Sequence, residues 1–134
     1  MFSFEKFKMS SQSTLMQDAG ASFIGVGCLV TGDINCESRL RIDGVLNGNI
    51  SGDGHIEISA TGVVVGQYLS ANSVIVHGKV NANIKAITSL RISKHAHVEG
   101  DIQAESLDIE SGAYFIGYSQ TGRGEDKSHL LIAN

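Results

Sequence analysis

Leu40-Arg41-Ile42-Asp43-Gly44-Val45-Leu46-Asn47-Gly48-Asn49-Ile50 alternates apolar with polar or small residues in steps of two, broken by a glycine-containing corner. Steps of two mark a strand with one buried face and one wet face. The Leu40/Ile42 doublet recurs at Ile56/Ile58, Val74/Val76, Leu90/Ile92 and Leu107/Ile109, with a degenerate first copy at Ser22/Ile24. Successive starts lie 18, 16, 18, 16 and 17 residues apart, so every second start falls 33 or 34 residues on. Repetition at a fixed period indicates stacked units, each unable to bury its apolar face alone.

On a common register, with the doublet at offsets 0 and 2, three units agree at four further positions. They read Cys28/Val30/Gly32/Ile34, Gly62/Val64/Gly66/Tyr68 and Ala96/Val98/Gly100/Ile102. The last unit follows with Ala113/Phe115/Gly117, and the shorter units read Leu46/Gly48/Ile50 and Val80/Ala82/Ile84. Between them stand Asn47, Asn49, Asn81, Asn83, His97, Glu99 and Asp101, and helical spacing is absent. A unit of this length, with several alternations separated by Gly/Ser/Asn/Asp turns, is one circuit of an all-β solenoid. Six circuits at a strand spacing of roughly 4.8 Å make a parallel β-helix on the order of 25–30 Å long. Long and short circuits alternate, which predicts a longer turn on every second one. The outward offset 1 reads Phe23, Arg41, Glu57, Ile75, Arg91 and Asp108. Stacking in register sets Arg41 beside Glu57 and Arg91 beside Asp108, a favourable arrangement on a sheet face.

Composition sets the outer limits. One domain is the default for 134 residues. Fourteen acidic against ten basic side chains, with no basic run, disfavour nucleic acid as a partner. Absence of Pro suits paired strands, because Pro removes a ladder donor. Cys28 and Cys36 form neither a disulfide framework nor a metal spacing and imply a reducing, cytoplasmic compartment. Cys28 is expected to face inward and Cys36 to lie in an outer turn. No stretch has the length of a membrane span or the apolar run of a signal peptide. The flanks, residues 1–21 and 119–134, do not repeat and read as flexible tails around a body at 22–118.

Leu40-Arg41-Ile42-Asp43-Gly44, with Gly48 and Ile50, resembles the "L-x-I-D-G-x-x-x-G-x-I" signature of the bactofilins. Val74-Ile75-Val76-His77-Gly78-Lys79-Val80 and Val98-Glu99-Gly100-Asp101-Ile102 are similar to that family's later repeats, and Gly112-Ala113-Tyr114-Phe115-Ile116-Gly117 to its terminal one. Ala82 stands where the second glycine is usual, which is tolerable if the position only needs to be small. The resemblance covers residues 22–118. It implies a right-handed β-helix and a bacterial cytoskeletal protein that forms homopolymeric filaments without nucleotide, at the inner face of the cytoplasmic membrane. There it would position cell-wall enzymes or other morphogenesis proteins.

A solenoid ends in an open strand edge and a bare slice of core, which template further pairing unless capped. No capping helix is evident at either end. Phe23 and Ile24 at the first circuit, and Leu107, Ile109, Phe115 and Ile116 at the last, are the expected polymer contacts. Contacts at both ends in a non-closing arrangement make a fibre. Phe115 is larger than Val30, Val64 and Val98 at the same offset; a core residue filling a tapering end is the competing reading. Whether like or unlike ends meet is open. At the N-terminus, Phe2, Phe4 and Phe7 stand among Lys6 and Lys8. Such a segment suits a peripheral membrane contact, with phenylalanines at the lipid interface and lysines at anionic headgroups; capping the first circuit is the alternative.

Catalytic chemistry is not indicated, and neither cofactor nor metal is expected. Hexapeptide acyltransferases need an apolar residue every six positions, which the doublets do not keep. Polysaccharide lyases need clustered carboxylates, whereas Asp33, Asp43, Asp53, Asp101 and Asp108 occupy scattered offsets. His95 and His97 could share a strand face but have no third ligand at a matching offset. Gly52-Asp53-Gly54-His55 reads as a turn, and no Walker-type phosphate loop occurs. A β-helical carbohydrate-binding or carbohydrate-active protein, with an aromatic or acidic groove, is the alternative function. A non-polymerising adaptor with docking faces is the third.

Overall fold

A computed structural model describes residues 21–121 and 129–131. The first circuit is β1 (Ala21–Ile24), β2 (Leu29–Thr31) and β3 (Ile34–Asn35). The second repeats it with β4 (Arg39–Ile42), β5 (Val45–Asn47) and β6 (Ile50–Ser51). Beyond β7 (His55–Ile58) the strands run on around corners: β8 (Val63–Val76) and β9 (Lys79–Ile92) each pass from one circuit into the next. β10 (His97–Glu99), β11 (Ile102–Ile109) and β12 (Tyr114–Thr121) complete the fifth and sixth circuits, and β13 (His129–Leu131) follows. No helix occurs among the described residues.

The register converts the sequence repeat into three sheet faces around one core. On the first face the doublets stack as Ser22, Leu40, Ile56, Val74, Leu90 and Leu107. The second stacks Val30, Leu46, Val64, Val80, Val98 and Phe115. The third stacks Ile34, Ile50, Leu69, Ile84, Ile102 and Ser119. Each pairing is parallel except that of β12 with β13. Ile42, Leu46, Ile50, Ile58, Val64, Leu69, Val76, Val80, Ile92 and Val98 lose all solvent contact. At about 1.5–3 kcal/mol for each such side chain, this column of apolar residues dominates the exposed ion pairs, worth about 0–1 kcal/mol each.

The alternation of long and short circuits resides at one corner. Long circuits turn there through four residues, closed by a bond from the last amide to the first carbonyl. Cys28 N donates to Gly25 O, Gly62 N to Ser59 O and Ala96 N to Ser93 O, at 2.8–3.0 Å. Short circuits cross the same corner with only Asp43-Gly44 or His77-Gly78 between the register partners. The sixth circuit again uses the long turn, Ala113 N donating to Glu110 O at 3.1 Å.

The next corner stacks Gly32, Gly48, Gly66, Ala82, Gly100 and Gly117, so closely that a Cβ on Gly100 would collide with the carbonyl of Ala82. Gly100 also holds φ at +138°, a region costly for other residues. Ala82 itself is buried and accommodated, so smallness is the requirement at that position. Gly100→Val should therefore destabilise by several kcal/mol (about 3 or more, strain and clash combined), seen as a fall in the urea midpoint with a near-constant slope.

Two expectations need correction. Cys28 is exposed and Cys36 buried, the reverse of the sequence reading. The alternation of Ile34 and Asn35 continues for one more residue, which turns Cys36 inward. Cys28 shares an inward offset with Gly62, Ala96 and Ala113, but in the first circuit no described residue stacks beneath it. The segment expected to be a tail is also structured in part. Ser119–Thr121 extend β12, and His129–Leu131 pair with Gly117–Ser119. Arg41 stacks on Glu57 in register, as expected; its ion pair is with Asp43, at 3.0 Å. The Ser59 hydroxyl and then Arg41 hold the Asp43 carboxyl below its usual range. Arg91 does reach Asp108, at 3.7 Å, and Glu110 at the same distance.

Candidate assembly interfaces at the ends of the rod

At the N-terminal end β1, β2 and β3 pair only with β4, β5 and β6, so their far edges carry no described strand. The side chains there are apolar. Phe23 is 63% exposed, Val26 73% and Leu29 64%, the three highest values among the large exposed hydrophobics. Phe23 lies outward on its strand, and its ring lies within 3.2 Å of where a Gly25 Cβ would sit. Ile24 points inward and retains 9% exposure. Val30 and Ile34, inward but with no described circuit beneath them, stay half-buried. Of the two residues expected at this end, Phe23 is presented to solvent and Ile24 belongs to the core. Val26 was missed because it stands in a corner turn where no large apolar residue recurs, and Leu29 because, although it stacks on Val45 and Val63, it lies at an offset between the inward positions.

The C-terminal end is different. The first face is open: Leu107 and Ile109 stack on Leu90 and Ile92 yet stay half-buried, while Leu90 is 1% exposed and Ile92 0%. Phe115, by contrast, is fully buried although it lies in the outermost circuit. Ile116 stacks on Glu99 and is half-buried on the outer side of the second face. The structure thus sets Leu107, Ile109 and Ile116 at accessible positions of the last circuit and places Phe115 inside it. The proposed membrane-contact residues Phe2, Phe4, Lys6, Phe7 and Lys8 lie outside the described residues.

The lateral faces carry ladders of polar contacts. Asn49 Oδ1 accepts the amides of Gln67 and Tyr68 at 2.8 and 3.1 Å, and the side chain of Asn83 does the same for Asp101 N at 2.9 Å. Asp33 and Asp101 accept the amides of Asn49 and Tyr118. These side chains staple one circuit to the next, which is where the expected turn residues are used. A groove of about 440 Å³ runs along this side between Tyr68 and Tyr118, lined by Lys85, Asp101 and Gln103. Its carboxylate, Asp101, is spent on the Tyr118 amide. His95 sits in a corner turn while His97 lies on β10, stacked on Tyr114 at 4.3 Å and 2.9 Å from Glu99, so the two imidazoles do not share a strand face. Among the described residues no group of three metal-ligating side chains gathers, and no helix is long and apolar enough to cross a membrane.

Cys28, exposed beside Val26 and Leu29, is a native reporter of the N-terminal end. In the free chain a thiol reagent should modify Cys28 readily and Cys36 slowly. Assembly through that end should slow Cys28 by about tenfold or more, as desolvation at an interface core excludes water, and leave Cys36 unchanged. Mass spectrometry of labelled peptides reads both in one sample.

Comparison with known proteins matches this geometry. Residues 22–120 match the family model described as bactofilin, polymer-forming cytoskeletal. Bactofilin BacO of Myxococcus xanthus is 30% identical over 106 residues, covering 79% of this chain and 81% of that protein. A cryo-EM reconstruction of Thermus thermophilus bactofilin double helical filaments superposes with a TM-score of 0.68 at 34% identity, covering 75% of this chain and 99% of that one. The solid-state NMR structure of the cytoskeletal bactofilin BacA gives 0.66 at 32% identity, covering 76% and 96%.

Proposed function

The chain belongs to the bactofilin family of polymer-forming cytoskeletal proteins, and on that premise we propose that it assembles end to end, without nucleotide, into a filament that serves as a scaffold. The observation that carries the reading is the apolar N-terminal end formed by Phe23, Val26 and Leu29, whose far edge carries no described strand. Burying that surface against a second copy removes it from water and satisfies the strand edge at once. Phe23 and Ile24 at one end, and Leu107, Ile109, Phe115 and Ile116 at the other, are the proposed polymer contacts. Phe115 acts from within, by shaping the last circuit that the neighbour meets. The absence of a phosphate-binding loop from the sequence supports assembly driven by surface burial alone.

The scaffold is proposed to work at the inner face of the cytoplasmic membrane. Phe2, Phe4 and Phe7 would enter the lipid interface and Lys6 and Lys8 meet anionic headgroups. One short segment binds weakly; a filament multiplies the contacts and holds by avidity. Cell-wall enzymes or other morphogenesis proteins are its proposed clients.

Purified full-length protein, stripped of nucleotide and divalent metal, should sediment and form filaments visible by negative stain. A protein that stays monomeric at high concentration would remove the reading. A chain lacking residues 1–9 should still form filaments but no longer co-sediment with anionic vesicles. Loss of filaments as well would assign those residues to capping the first circuit.

A further inference from the structure

The sixth circuit carries a strand that does not belong to the solenoid. β13 (His129–Leu131) lies antiparallel on β12, pairing Gly117 with Leu131, Tyr118 with Leu130 and Ser119 with His129. β12 already pairs with β10 and β11 on its inner side, so β13 occupies the outward edge where a seventh circuit, or a second copy, would add. From this we propose that the C-terminal segment is an autoinhibitory cap on the growing end. In the free chain it holds the β12 edge in cis, and an incoming copy must displace it.

A second observation agrees. The inward column of the second face begins at Val30 and ends at Phe115, and both lie in terminal circuits. Val30 remains half-buried, whereas the larger Phe115 has no exposure at all. β13 lies on the same strand as Phe115, beginning two residues further on at Gly117, and a covered edge accords with that burial. The inward residues of the sixth circuit that stay half-buried, Leu107 and Ile109, are those farthest along the chain from β13's partners. Among the described residues the two ends of the rod are therefore unequal, since only the C-terminal edge carries an added strand.

The direction of β13 adds to the case. Head-to-tail stacking would bring a parallel strand to β12. A two-fold axis relating two C-terminal ends would reverse the strand direction and bring an antiparallel one. β13 takes the antiparallel course, so it imitates the strand a like end would present and blocks it directly. Three paired residues are a weak clasp, which suits a cap that is displaced rather than permanent, since a typical hydrogen bond contributes only modestly net of water.

This inference rests on the end-to-end reading, and the experiment separates the two. A chain ending at Ser128 is compared with the full chain by sedimentation over a concentration series. Loss of the clasp should lower the critical concentration by about tenfold, the scale of one or two modest net hydrogen bonds. A synthetic peptide of residues 126–134 added to the truncated chain should raise it again. Amide exchange at Gly117 and Ser119, which face β13, should be slow in the dilute full chain and fast in the dilute truncated one, while Tyr118, whose amide donates to Asp101, should change little. An unchanged or higher critical concentration, or unchanged exchange at Gly117 and Ser119, overturns the cap while leaving end-to-end assembly intact. If neither chain forms filaments, both ideas fall.

Discussion

Replacing Val26 and Leu29 together by glutamate should leave a folded rod that forms no filaments. Both side chains are largely in water, at 73% and 64% exposure, so the substitution removes no core contact. Exposed changes of this kind alter stability by about 0.5 kcal/mol or less. Assembly is another matter. An end-to-end contact would bury four carboxylates where like ends meet, or two against an apolar end where unlike ends meet. Each uncompensated charge at an interface costs on the order of several kcal/mol, and a filament repeats that cost at every junction. Thermal unfolding followed by circular dichroism should match the parent chain, while sedimentation and microscopy should show monomers or at most pairs joined through the other end. Long filaments from this variant would show that the N-terminal end is not a contact.

The second large effect is expected at Phe115. It is wholly buried in the sixth circuit, stacked on Val98. An arginine there has no buried partner for its guanidinium, and an unpaired buried charge is not tolerated. The side chain must leave the core past the end of the rod, and the last circuit must open with it. In a quasi-one-dimensional stack the damage stays local, because each circuit depends chiefly on its neighbours. Phe115→Arg should therefore keep most of the β-sheet signal, lower the midpoint of unfolding and lose the filaments. Phe115→Leu, which keeps the position apolar, should retain them. If Phe115→Arg still sediments as long filaments, the C-terminal contact is elsewhere. If Phe115→Leu also loses them, the residue acts through ring shape rather than polarity.

The fold was legible because its physics is periodic. An inward residue at one circuit predicts the inward residue 16 to 18 positions on, and the doublets from Leu40/Ile42 to Leu107/Ile109 stack as counted. The alternation of circuit lengths was also readable and maps onto four-residue and two-residue corners. What the pattern could not convey lies where the repeat stops. Cys28 keeps an inward offset but has no described circuit beneath it, and it is exposed. Cys36 seemed to sit in a turn, yet its strand carries the alternation one residue further and buries it. Val26 has no large apolar repeat mate, and Leu29, stacked on Val45 and Val63, lies between the inward offsets, so counting inward positions could not mark them as the apolar tip. β13 was invisible for the same reason: Leu130-Leu131-Ile132 is too short for a period, and its pairing with Gly117–Ser119 is a long-range event. Ion-pair partners were only half readable, since register sets Arg41 beside Glu57 but rotamer choice sends it to Asp43.

The central claim is that these rods join tip to tip, with their circuits lying across the filament. Diffraction from aligned filaments, or the layer lines of a cryo-EM reconstruction, tests it most directly. End-to-end stacking predicts the strand-spacing reflection of about 4.8 Å on the meridian, along the filament axis. The same reflection on the equator would mean that the rods pack side by side, and would contradict the account.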